Sequence, residues 1–271
     1  MSDVEQRGVE LDLSYRGYMT NRLFTTQLGR VPGDDFEERL KEVGLSDFEP
    51  IGGELEWLGM SIDEVGHEVL DIGIGGGRSL EQGLVAGFDM YGIEIGLKAR
   101  RGLSGSGLMR LRQQEVRRYL EKVMRANPGR VWEVDATKRI PQRDNTFDTV
   151  LACLSLPDYA RDERELVTAI LEMIRLSRER VAFTAGYSDE PSLEDMGRYG
   201  VGNSKFQFPM AQFLKDLEYF GLEHEWRVVH DPSERAEGDI VSAHLFTNAK
   251  NQTDLDVYRD YIFEEYVPRR W

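Results

Sequence analysis

The stretch "VLDIGIGGGRSLEQGLVAGFDMYGIEIG", Val69 to Gly96, carries an apolar run into a knot of glycines, through a helix-like segment, and into a second apolar run closed by Glu94. A short apolar run bounded by glycines reads as a buried strand, and "EVLDI" (68–72) fits that description. A helix is expected from about Gly77 to Ala86, and a second strand at "FDMYGIEI" (88–95). Two phosphate-binding readings of the glycine turn can be tested at once. A Walker loop ends in Gly-Lys-Ser/Thr, whose lysine reaches the terminal phosphates, and no such tripeptide occurs. A dinucleotide loop needs GxGxxG or GxGxxA, so that helix and strand pack closely. Counted from Gly73, that third small position is Arg78, which fits poorly.

Outward from the loop the same rhythm continues. "MRLRQQEVRRYLEKVMRAN" (109–127) reads as a long helix with Leu111, Val116, Tyr119, Leu120 and Val123 on or near one face, stopped by "NPG". Strands are expected at "RVWEVDA" (130–136), "FDTVLACLSL" (147–156, ended by Pro157) and "RVAFTAG" (180–186), with a helix at about 162–176 before the last. These strands are continuously apolar and therefore buried on both faces, as in a parallel sheet covered by helices. After Gly186 a loop-rich stretch (187–208) leads to a helix at about 209–220. Two strands follow, "GLEHEWRVVH" (221–230) and "DIVSAHLFT" (239–247), close enough to pair antiparallel. No repeat or low-complexity tract interrupts the pattern. The expected division is an N-terminal cap or lid (1–60), an α/β core (61–248) and a C-terminal extension (249–271).

The 271-residue chain is 40% hydrophobic and 31% charged, as a soluble globular protein is. No apolar run approaches the roughly 20 residues of a membrane span. The acidic start "MSDVEQRGVELD" lacks the features of a signal peptide, so a cytoplasmic location is expected. Cys153 is the single cysteine, which excludes an intrachain disulfide. The net charge of −15 disfavours non-specific binding to nucleic acid or anionic membrane. That charge is uneven: residues 98–130 hold ten Lys and Arg against two Glu, and residues 1–68 hold six basic and sixteen acidic residues.

The spacing that does fit the loop is acidic-x-Gly-x-Gly-x-Gly: Asp71, Gly73, Gly75, Gly77. Glu94 follows 21 residues beyond Gly73, "VDA" closes the third strand with Asp135, and "FDTVLACLSL" opens with Phe147-Asp148. In this order the four features resemble class I S-adenosylmethionine-dependent methyltransferases over about Val69 to Gly186, less than half of the chain. The resemblance implies a doubly wound, mostly parallel seven-stranded sheet whose last strand is antiparallel. It implies S-adenosyl-L-methionine as cofactor, with the glycines passing beneath its amino-acid end and the following helix offering N–H groups to its carboxylate. Asp71 then holds the loop, Glu94 takes the ribose hydroxyls, and Asp135 lies beside the adenine amino group. Ile95, Ala136 and Leu154 complete the implied cofactor contacts.

The methyl acceptor is less legible. "SLPDY" (155–159) departs from the Asn/Asp-Pro-Pro-Tyr/Phe of amino-methylating enzymes, and Cys153 follows Ala152 rather than a proline, unlike cytosine C5 methyltransferases. Cys153 reads as a buried thiol. His67, His224, His230 and His244 form no zinc pattern, and Asp158 and Asp189 alone do not make a metal site, so no metal is expected. No catalytic residue is assigned. Tyr159 and Tyr187, after the fourth and fifth strands, and Tyr15 and Tyr18 in "LSYRGYMTNRLF" (13–24) are candidate substrate contacts, each equally explained by packing. The expected acceptor is a small molecule, and a homodimer stays open. The basic segment at 98–130 leaves a rival, action on RNA or another polyanion, beside the plainer reading of a solvated or docked helix. A non-catalytic scaffold of the same fold is the third alternative.

Overall fold

The computed structural model describes residues 54–75, 77–85, 87–95, 120–121, 123–153, 155–156, 160, 162–188, 208–229, 239–248 and 259–267. Seven strands make one sheet: β1 (Glu68–Ile72), β2 (Asp89–Glu94), β3 (Val131–Glu133), β4 (Phe147–Ala152), β5 (Ser177–Ser188), β6 (Glu223–Val229) and β7 (Asp239–Phe246). Their spatial order is β3-β2-β1-β4-β5-β7-β6. The first five run parallel, and β7 inserts antiparallel between β5 and β6. From β1 the chain moves outward through β2 and β3, then returns to lay β4 on the other side of β1. Ligands of open α/β sheets bind outside the carboxyl ends of the strands at such a reversal.

Two cores flank the sheet, as the apolar runs require. Leu70 and Ile72 of β1, Val150 and Ala152 of β4, and Val181 and Phe183 of β5 belong to one. Their neighbours Val69, Leu151 and Ala182 point into the other. The period-2 alternation of side chains thus divides each continuous run between the faces.

The helices follow local signals. The short α1 (Glu54–Trp57) leads Leu55, Trp57, Leu58 and Met60 into the second core. Next comes α2 (Arg78–Val85), directly after the glycine loop, and α3 is the described helical part at 120–126. In α4 (Glu163–Leu176), the Asp162 carboxylate accepts the Glu165 N–H at 3.0 Å, and acidic residues fill the first turn. Leu166, Val167, Ile170, Met173 and Ile174 recur at helical spacing on its buried side. Last are α5 (Met210–Leu217) and α6, at 259–266; Ile262 of α6 is buried in the first core.

Three strands differ most in length from expectation. β3 stops at Glu133 because the Asp135 carboxylate draws Thr137 into a local turn. β4 ends at Ala152, five residues before Pro157, and Cys153 lies just past it. β5 runs from Ser177 to Ser188 because Ser177 pairs with Phe147 of β4 and β7 accompanies the strand from Arg180 to Ser188.

Candidate functional site

The loop after β1 is stitched to the end of β2: the N–H groups of Gly73 and Ile74 both donate to the Ile93 carbonyl, at 2.7 and 3.2 Å. Gly73, Gly75 and Gly77 all have positive φ, at 81°, 55° and 84°. Side chains other than glycine rarely adopt that region. Gly77 meets a second constraint, because a Cβ there would come within 2.8 Å of Val123 Cγ1. Its bare backbone is what lets α3 approach. Ile74 turns inward over β2, where a Cβ at Gly92 would lie 2.6 Å from its Cδ1 and Cγ2. Gly92 escaped the sequence reading, although a glycine inside a strand is the ordinary sign of a close approach.

Two buried carboxylates hold this loop. Asp71, at the end of β1, accepts the Ser79 hydroxyl at 2.5 Å and so ties the strand to the first turn of α2. Glu94, at the end of β2, accepts the Gly75 N–H through Oε2 at 2.9 Å and the Ile95 N–H through Oε1 at 3.1 Å. Sequence position alone separates Glu94 from Gly75 by 19 residues; the parallel pairing of β1 and β2 closes that gap. The structure therefore brings Asp71, Gly73, Gly75, Gly77, Glu94 and Ile95 together at the carboxyl ends of β1 and β2.

Asp135 sits two residues past β3, joined to the same edge by the Val134 N–H, which donates to the Glu94 carbonyl at 3.1 Å. Its Oδ1 accepts the Thr137 N–H at 3.0 Å and the Thr137 hydroxyl at 2.6 Å, and its Oδ2 faces Lys138 Nζ at 3.1 Å. Burial pulls this carboxyl upward, but the Thr137 hydroxyl and the Lys138 ammonium outweigh it and hold Asp135 below the usual aspartate value. It is an anion that caps its own turn. Ala136 is buried beside it.

On the other flank of β1, Ser155 donates to the Ile72 carbonyl at 2.6 Å, across 83 residues of sequence. This bond fastens the exit of β4 to the mouth of the glycine loop, and nothing in the local pattern announced it. Tyr187 lies within β5 rather than after it, because the strand continues to Ser188, and it pairs there with Ile240 of β7; its side chain lies outside the described residues. Leu154, Tyr15, Tyr18 and Tyr159 lie outside the described residues, as do Asp158, Asp189 and His230.

The other reactive side chains serve the core. Cys153 is buried. His244 is buried on β7, where burial first and the Arg227 charge second push its pKa down to about 4, and its Nε2 lies 2.7 Å from the Leu58 carbonyl. It stands neutral in the second core. Among the described residues no group of three or more His, Cys, Asp or Glu side chains is placed to hold a metal, and no helix is long and apolar enough to cross a membrane. From the basic segment, Arg130 is drawn into an ion pair with Asp89 and lies 4.8 Å from the Tyr91 ring centre. That cation is committed to the sheet edge.

Four parallel strand pairings, one strand inserted antiparallel between β5 and β6, and an acidic residue bonded into a glycine loop at the strand reversal define the architecture. The fold is the doubly wound, seven-stranded sheet with an antiparallel last strand that the sequence resemblance implies. No protein-family model matches this sequence, and no curated protein matches it. Among solved structures, the chain is similar to the magnesium protoporphyrin IX methyltransferase of Synechocystis PCC 6803 with bound S-adenosylmethionine. The two share 16% identity over 92% of this chain and 99% of that one, with a TM-score of 0.43. A methyltransferase of Clostridium acetobutylicum ATCC 824 is 13% identical over 80% of this chain and 99% of its own, at TM-score 0.45. The cyclase SpnF is 18% identical over 68% and 75%, at 0.43. These three TM-scores lie below 0.5, so the weight rests on strand order and loop geometry.

Proposed function

We propose that this protein is an S-adenosylmethionine-dependent methyltransferase acting on a small-molecule acceptor. The observation that carries the proposal is the Glu94 carboxylate, hydrogen-bonded into the glycine loop at the reversal of the sheet. A dinucleotide site would want a small residue where Arg78 stands, and a triphosphate site would want a lysine that the loop lacks.

The residues present suit such a cofactor. Three positive-φ glycines give a loop over which an amino-acid moiety can lie against bare backbone. Behind them α2 opens, and its first N–H groups have no partner within the helix, so they favour a carboxylate. Glu94 would offer its carboxylate oxygens to the ribose hydroxyls, and Asp135 would face the adenine amino group. Ile95, Ala136 and Leu154 are the further cofactor contacts of this proposal. When bound, the cofactor supplies a methyl group on a cationic sulfur whose departure leaves a neutral thioether. The chain's own task is then to align the acceptor behind that methyl group, exclude water and, for a protonated acceptor, remove a proton.

Residues 1–60 as cap, 61–248 as catalytic core and 249–271 as extension form the domain division of this proposal. Tyr15 and Tyr18 of the cap, with Tyr159 after β4 and Tyr187 near the end of β5, are its candidate acceptor contacts. Calorimetry tests the reading. S-adenosylmethionine should bind saturably to the wild-type protein, and Gly75→Val, which forces a branched side chain to φ 55°, should abolish binding while the fold persists. Absence of binding by folded wild-type protein would sink the proposal and leave the scaffold reading.

A further inference from the structure

Among the described residues three large hydrophobic side chains stand exposed, and two of them flank the same hollow. Tyr219 is 85% exposed and Tyr261 is 61% exposed, and both line a cavity of about 410 Å³ between α5 and α6. Exposing aromatic surface to water is costly, so two such rings on one cavity mark a place where something else completes the contact. The cavity shares no residue with the loops at 73–77, 94–95 and 135–137.

Its wall is aromatic and its charge is negative. Phe213 and Tyr266 meet edge to face with ring centres 5.1 Å apart, and Phe220 stands beside them. Asp216 lines the same space: its Oδ1 accepts the Gln212 amide at 2.6 Å, and its Oδ2 accepts the Tyr266 hydroxyl. Both partners are neutral, so these bonds orient the carboxylate without cancelling its charge. Burial first, then Asp216 and Glu265, pushes the Tyr266 hydroxyl well above the usual tyrosine range, so it stays a neutral donor to Asp216. Lys215, the cation of α5, is exposed and does not line the cavity.

Aromatic faces attract cations, and a carboxylate at the edge of an apolar hollow adds to that attraction. Anions meet Asp216 and a chain of net charge −15. We infer that the cavity between α5 and α6 binds an organic ammonium ion with an apolar body, held by Tyr219, Tyr261 and Phe220 and charge-paired with Asp216. The volume suits a small amine with one ring or a short alkyl body. This site is separate from the strand-end crevice and does not depend on the methyltransferase reading.

The probe is benzyltrimethylammonium, titrated by calorimetry into the full chain in the presence of excess S-adenosylhomocysteine. That competitor carries no sulfonium and occupies the crevice if the cofactor reading holds. Saturable binding of benzyltrimethylammonium is expected, with benzoate failing to bind. Tyr219→Ala and Tyr261→Ala change exposed rings, so their melting temperatures should match the wild type while affinity for the probe falls about 3- to 30-fold each. Asp216→Asn, which can still accept the Tyr266 hydroxyl, should weaken the probe and leave a neutral aromatic alcohol unaffected. Equal binding of benzoate, no saturation by the cation, or full affinity in both tyrosine variants would overturn the inference. S-adenosylhomocysteine affinity in the same variants should stay at the wild-type value, so a failure of either site is read independently of the other.

Discussion

Glu94 and Glu172 are both buried carboxylates in one sheet protein, and they are held in opposite ways. Glu172, on α4, has no exposed surface and is gripped by cations: Arg175 Nε approaches both oxygens at 3.1 Å, Arg175 Nη2 approaches one at 2.7 Å, and Arg259 reaches it at 3.4 Å. Arg175 spends its remaining donors on the carbonyls of Ile140 and Gln142 and on Asp144. That cluster locks the 140–144 turn and α6 onto α4, and it is neutralised from within. Glu94 instead takes the backbone N–H groups of Gly75 and Ile95, at the open end of the strands. The first carboxylate is committed to holding segments together. The second is oriented by the loop at the strand ends, where the proposed function puts a ligand's ribose hydroxyls.

This contrast can be broken by mutation. The largest effect is expected from Arg175→Ala, which strands Glu172 in the core without its main counter-charge and should cost about 3–5 kcal/mol in chemical denaturation. Cofactor affinity of the molecules that remain folded should hardly change. Next comes acid. His244 is neutral in the fold with a pKa of about 4 against an ordinary 6.5, so the unfolded chain binds the extra proton first. Its contribution is complete above about pH 6.5 and is lost as pH falls toward 4, roughly 3 kcal/mol by the shift. Glu64, held far below the ordinary carboxylate range first by its Arg227 hydrogen bonds, adds a loss of the same sign below about pH 4.5. Denaturation midpoints measured across pH 7 to 4 should therefore fall, and His244→Gln should flatten the upper part of that slope. The smallest effect on stability belongs to Glu94→Ala. Its signature is in ligand binding: losing charged hydrogen bonds worth about 1.5–3 kcal/mol should weaken S-adenosylhomocysteine roughly 10- to 150-fold by calorimetry. A stability loss as large as that of Arg175→Ala would erase the distinction between the two carboxylates.

Much of the strand-end site could be read from the sequence because its parts are local and chemically unusual. Glycines at alternate positions after an apolar run, with an aspartate before them and a glutamate closing the next run, leave few other readings. What escaped was relational. Ser155 meets Ile72 only because β4 returns beside β1, and Gly92 matters only because Ile74 folds back over β2. Asp135 was legible as an acidic residue at a strand end, but its engagement with Thr137 and Lys138, which shortens β3, depends on turn geometry that a continuous run of strand-forming residues conceals. The cavity between α5 and α6 is hidden for the same reason: the two helices are distant in sequence, and only the fold brings their aromatic residues to one hollow.

A crystal structure with S-adenosylhomocysteine tests the central claim most directly. Both ribose hydroxyls should lie within hydrogen-bonding distance of the Glu94 carboxylate, with the amino-acid end over Gly73–Gly77. A ligand bound elsewhere, or a ribose turned away from Glu94 with the glycine loop uncovered, would contradict it.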